Sequence, residues 1–224
     1  MPITHKTPLT TIPNPGITTI RAAMLANALS VVDVEAGKPE TFPILEALVG
    51  PPKGCWGLNK PYGKGGVSTC SMVALGLLRR LRVNNEAVMG QYIPGTGLNA
   101  ARNYARKLSP SAWVTPKGHD RPKQGDVIDL RSPKGSADLS NHTEVVVGFE
   151  DDTIVCVAGG QVGIGGLQAI KLVRRKWAYV SANSPPTSGG RTVDGWIDIS
   201  LLGYGDSILV PEGWKSLQPG ACIA

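Results

Sequence analysis

Glycine and proline occupy roughly one position in five of this chain, 28 and 18 of 224 residues, and they recur along most of its length. Proline fixes φ and removes a donor, and glycine weakens the interior of an element, so a long bundle or coiled coil is excluded in favour of short strands joined by turns. The clearest helical signal is CSMVALGLLRRLRV at 70–83: Val73, Leu77, Leu78 and Leu81 share one face, and Arg79, Arg80 and Arg82 gather in the last turn, where cations suit the dipole. An Ala-rich helix is expected from Thr18 or Thr19 to about Glu35, ended by Gly37 and Pro39, with shorter helices at 42–49 and 97–108. The second half alternates β-rich runs at 126–130, 144–149, 153–158, 169–174 and 177–180 with polar turns. Helices first and a meander second predict an α+β domain, with the N-terminal helices packed on an antiparallel β-sheet.

Residues 1–16 read as an extended arm, 17–183 as the main folded domain, and 184–224, opening on SPPTSGG, as an extension whose role stays open. The first 16 residues carry prolines and threonines where a secretory peptide would place its apolar stretch, so the chain reads as made in the cytoplasm without a signal peptide. No run approaches the ~18 apolar residues of a membrane span, and no membrane insertion is expected. The formal charge is +6, spread over 53–64, 79–82, 117–134 and 174–176 as a solvated basic face. Without aromatic interleaving or a base-reading motif, nucleic acid is not an expected partner.

Of the four cysteines, Cys156 sits between Val155 and Val157 in an apolar strand, Cys222 is near the end, and Cys55 lies in a glycine-rich loop with no helix behind it. Cys70 follows Ser68 and Thr69, candidate caps, and so opens the best helix of the chain. Unpaired N–H groups and the positive dipole end there lower a thiol pKa and can hold an oxyanion. Of the three histidines, His5 is in the arm, His119 in a polar loop, and His142 immediately precedes the strand EVVVGF.

A cysteine opening a helix, a GD-initiated strand, a histidine at the next strand and a polar residue on the one after follow in that order. Three segments carry it: STCSMVALGLL, PKQGDVIDL with NHTEVVVGF, and TIVCVAGGQVGIGGLQAIKL. They resemble the CHAP family (cysteine, histidine-dependent amidohydrolase/peptidase) of papain-like cell-wall hydrolases, related to the NlpC-type peptidases, over roughly residues 66–177. The resemblance implies a papain-like (CHAP/NlpC-type) fold with Cys70 as nucleophile and His142 as general base. Gln161 falls where the family often places an Asn or acidic residue that orients the imidazole. Glu144 stands where the family usually has a small residue; by strand alternation it shares the face of His142, as an alternative orienting group or a substrate contact.

The implied activity is that of a cysteine peptidase or amidase acting on bacterial peptidoglycan, with no metal or organic cofactor. It would belong to an antibacterial effector toxin injected by a secretion machine, or to a phage lysin, and would act in the periplasm or cell wall of a target bacterium. A toxin of this kind implies a cognate immunity protein. The alternative is a non-catalytic papain-like binding or phage structural module.

Overall fold

Five short helices and nine strands are laid out in the computed structural model, which describes residues 3–49, 69–89, 98–132 and 141–214. Strand β1 (Leu9–Pro13) leads to helices α1 (Ile17–Leu29) and α2 (Phe42–Val49), and these to α3 (Cys70–Arg80), α4 (Glu86–Met89) and α5 (Asn99–Lys107). Beyond them come β2 (Trp113–Val114), β3 (Val127–Arg131), β4 (His142–Glu150), β5 (Thr153–Val162), β6 (Gln168–Ala178), β7 (Thr187–Ser188), β8 (Arg191–Ile197) and β9 (Ser207–Pro211). No helix among the described residues is long and apolar enough to cross a membrane.

The papain-like α+β arrangement expected from the sequence, with helices laid on an antiparallel sheet, is not what forms. Strands β8, β3, β4, β5, β6 and β7 hydrogen-bond in that order, and β7 pairs back onto β8, closing a six-stranded antiparallel barrel that outweighs the helices. The closing piece is two residues long: Thr187 and Ser188 pair with Ala178 and Trp177 on one side and with Thr192 and Arg191 on the other. Closure is confined to these few residues, so the barrel is joined at one end of β6 and β8. Residues 184–224, read as an extension, therefore carry two barrel strands, and β9 binds the N-terminal arm, Leu9 opposite Pro211 through Pro13 opposite Ser207.

Two apolar clusters follow from the period of two along each strand. Ile128, Leu130, Val146, Ile154, Cys156, Trp177, Val193 and Trp196 fill the barrel. The opposite faces of the same strands, with Val127, Val145, Val147, Val155 and Val157, pack against α1 and α3 in the larger cluster. Arg21 ties α1 to the barrel, donating to the backbone oxygen of Gln124 and to the carboxylates of Asp126 and Asp198.

Helix α3 lies between α2 and strands β4 and β5, and Gly76 sets how closely α2 approaches it. A β-carbon there would lie 2.1 Å from the backbone oxygen of Leu48. Alanine favours a helix interior over glycine by about 1 kcal/mol, whereas overpacking against backbone costs about 1–3 kcal/mol or more. The clash wins, so Gly76→Ala is expected to lower the thermal midpoint, by roughly 2–4 °C for each net kcal/mol; an unchanged or raised midpoint would show that α2 shifts freely.

Candidate active site

Strand β4 opens on His142. Its alternation places His142, Glu144 and Val146 on the barrel-lining face, opposite Leu130, Ile128 and Cys156, while Thr143, Val145 and Val147 face outward. Helix α3 packs on that outer side with its first turn over the start of the strand. Ser71 Oγ is 3.2 Å from Thr143 Oγ1, and Cys70 Sγ is 3.9 Å from the backbone oxygen of Asn141. At this junction the Cys70 thiol lies close enough to the His142 imidazole to raise its pKa. Cys70 is 4% exposed and His142 9%, so the pair is withdrawn from bulk water but not sealed.

The far side of the ring settles the imidazole's orientation. Nε2 lies 3.0 Å from Glu144 Oε1. Gln161 reaches the same Nε2 through its amide nitrogen at 3.4 Å while donating to the backbone oxygen of Gly159 at 3.2 Å. A nitrogen donor cannot accept the ring N–H, so the carboxylate, not the amide, fixes the tautomer. Of the two positions considered for this task, Glu144 brings a carboxylate oxygen and Gln161 its side-chain amide to the same ring nitrogen.

Glu144 is fully buried, and Arg175 of β6 compensates it, with Nε at 2.8 Å and Nη2 at 2.7 Å from the same Oε1. Burial alone would raise the carboxyl pKa; the His142 hydrogen bond and charge, then Arg175, outweigh it and hold Glu144 below the ordinary carboxylate value. For His142, burial pushes the pKa down, and the hydrogen bonds and charges of Cys70 and Glu144 outweigh that and bring it up to about 9. The imidazole is therefore protonated at neutral pH, with a carboxylate on Nε2 and the Cys70 sulfur nearby. Cys156 is the counter-example: burial, then Glu144 beside it, pushes its thiol well above the ordinary value, leaving it neutral inside the barrel.

The N-terminus of α3 is held without the expected side-chain cap. Thr69 makes no capping hydrogen bond. Its hydroxyl accepts from the backbone N–H of Gly160 at 2.8 Å and donates to Gln168 Oε1 at 3.3 Å, while its backbone oxygen accepts from Val73 at 2.9 Å. Ser68, Cys55 and Cys222 lie outside the described residues. His119 stacks on Tyr179, ring centroids 4.4 Å apart.

Compared with known protein families, curated proteins and solved structures, this chain finds no match. Arg175 was not singled out by sequence reasoning, since it sits in the basic run RRK. Alternation was the available signal: Arg174 and Lys176 point outward to Glu150 and Asp152, and Arg175 between them turns in.

Gly159 brings β5 against α3. A β-carbon there would lie 2.6 Å from Val73 Cγ2 and 2.9 Å from the Thr69 backbone oxygen, one residue from Cys70. Gly159→Ala is expected to push the helix start off the strand and, since a displacement near 1 Å costs about 10²-fold in rate, to abolish most thiol-dependent activity while circular dichroism stays native-like. Full activity in that variant would show that the site tolerates the shift.

Proposed function

We propose that this protein is a cysteine-dependent amide hydrolase whose nucleophile is Cys70, whose general base and acid is His142, and whose orienting carboxylate is Glu144. The observation that carries the reading is the buried His142–Glu144–Arg175 chain with the Cys70 sulfur beside it at the start of α3. A buried imidazole raised to about 9 stabilises an adjacent thiolate and supplies the proton that a departing amine requires.

The Cys70 thiolate attacks the amide carbonyl carbon, forming a C–S bond and an oxyanion. Backbone N–H groups in the first turn of α3, at the positive end of its dipole, suit the oxyanion. As the C–N bond breaks, His142 gives its proton to the nitrogen and the amine leaves. The now neutral imidazole takes a proton from water, the hydroxide attacks the thioester, and the carboxylic acid departs as Cys70 regains its electron pair. Glu144 keeps the ring in one tautomer and offsets its charge throughout.

The substrate class rests on the resemblance of the three segments around Cys70, His142 and Gln161 to cell-wall hydrolases: the peptide amides of bacterial peptidoglycan, cut by an effector toxin or a phage lysin. The +6 charge suits an anionic envelope, an attraction that weakens with salt. Incubating purified peptidoglycan with the protein and with Cys70→Ala, followed by mass spectrometry of the soluble fragments, tests it. New amine termini from the unmodified protein alone support the proposal. Identical fragments from both, or none from either with an intact thiol, overturn it and favour a binding module.

A further inference from the structure

Helix α3 carries a second cluster at its other end. Arg80 closes the helix, ten residues and so roughly 15 Å from Cys70 along the axis, and lines a cavity of about 280 Å³ between the N-terminal arm, the end of α1 and α2. Leu9, Pro43, Ile44 and Ala47 form its apolar wall. Thr7 and Ser30 add hydroxyls, and His5 an imidazole, beside the guanidinium.

The guanidinium is partly satisfied. Nη1 donates to Ser30 Oγ at 3.2 Å and reaches Asn27 Oδ1 at 3.5 Å, both on or just after α1. Among the described residues no carboxylate pairs with Arg80, and its Nε and Nη2 make no hydrogen bond. This contrasts with Arg21, Arg102, Arg131, Arg174 and Arg175, each of which has an acidic partner. Burial draws the Arg80 pKa down to about 10, which still leaves it charged at neutral pH. The negative end of α3 explains why a cation sits there, but it does not occupy the donors. The Nε–Nη2 edge of a guanidinium presents two parallel N–H groups, the geometry that a carboxylate takes in bidentate fashion.

We infer that this cavity is a binding site for a small monocarboxylate with a compact apolar body, its carboxylate on the Nε–Nη2 edge of Arg80 and its body against Leu9, Ile44 and Ala47. The volume of about 280 Å³ lies just below the ~300–1,000 Å³ usual for ligand pockets, which excludes a long chain or a polymer segment. The site is separate from the thiol, and its occupancy does not depend on the hydrolase reading.

The test is calorimetric titration of the full chain with 3-phenylpropionate, with the isosteric alcohol 3-phenylpropanol and with the corresponding amine. The acid is expected to bind saturably at micromolar to millimolar concentration, the alcohol more weakly and the amine not at all. Arg80→Met keeps the wall apolar and is expected to weaken the acid roughly 30-fold or more while leaving the alcohol unchanged. Ala47→Phe, which keeps Arg80 and fills the cavity, is expected to remove binding of both. Equal affinity for acid and alcohol, an acid isotherm unchanged in Arg80→Met, or no saturable binding of the acid at millimolar concentration overturns the inference. An unaltered thermal midpoint in Ala47→Phe separates loss of the site from loss of the fold.

Discussion

His142→Ala is expected to slow amide cleavage by roughly 10⁴–10⁶-fold, about as much as loss of Cys70 itself, because residues acting as one unit fail together. The imidazole has two tasks here. In the proposed reaction it is the proton donor and acceptor, and as a cation near Cys70 it would favour the thiolate. Its removal leaves a 4%-exposed thiol without the imidazole as base or counter-charge. Kinetics on a defined peptide amide, with Gln161→Ala as companion, check this. The amide of Gln161 touches His142 Nε2 from the donor side, so Gln161→Ala should lose little activity. A large loss at Gln161 with a small one at His142 would reverse the assignment.

The second large effect falls on stability. Glu144→Gln keeps the shape of the side chain but leaves Arg175 without its carboxylate and His142 without its counter-charge. Breaking a buried pair from one side costs about 3–5 kcal/mol, which for a chain of this size is a fall of about 10 °C in thermal midpoint. Replacing Arg175 by Met in the same molecule should restore much of the loss, since an apolar pair is better tolerated than an orphaned charge.

The pH dependence of that difference has a definite sign. The pKa of His142 is raised, so its pairing stabilises fully below the ordinary value near 6.5 and fades as pH rises through about 9. The pKa of Glu144 is lowered, so its contribution is present above the ordinary carboxylate value near 4.5 and fades as pH falls through the lower folded value. The gap between the protein and Glu144→Gln should therefore be widest between about pH 4.5 and 6.5, shrink as pH rises from there towards 9, and level off above it. Nuclear magnetic resonance titration should find His142 well below 9 in the variant, where burial is less opposed. A His142 pKa that does not move would remove Glu144 from the account.

Much of this was legible residue by residue. Helix α3 showed because its apolar positions keep helical spacing through the one glycine at 76, and the shared face of His142 and Glu144 followed from a period of two. Barrel closure did not show. Its closing strand is Thr187 and Ser188, set in SPPTSGG, where every local signal is that of a linker and only the partners Ala178 and Trp177 before it and Thr192 and Arg191 after it give it strand character. Strand β6 was read as two pieces because Arg174, Arg175 and Lys176 interrupt its apolar run, although two of the three face water and one faces in. Arg175 and the engagement of Thr69 with Gly160 and Gln168 depend on cross-strand register, a property of the folded sheet and not of any local stretch.

The central claim, that Cys70 is held as a thiolate against a protonated His142, is tested most directly by the rate of iodoacetamide alkylation at each cysteine against pH, read by mass spectrometry. The account predicts that Cys70 reacts near its plateau rate already between about pH 6 and 7, far ahead of Cys156, which is sealed in the barrel, and that this early reactivity vanishes in His142→Ala. A Cys70 rate that climbs with the ordinary thiol inflection near 8.5, unchanged by His142→Ala, would contradict it.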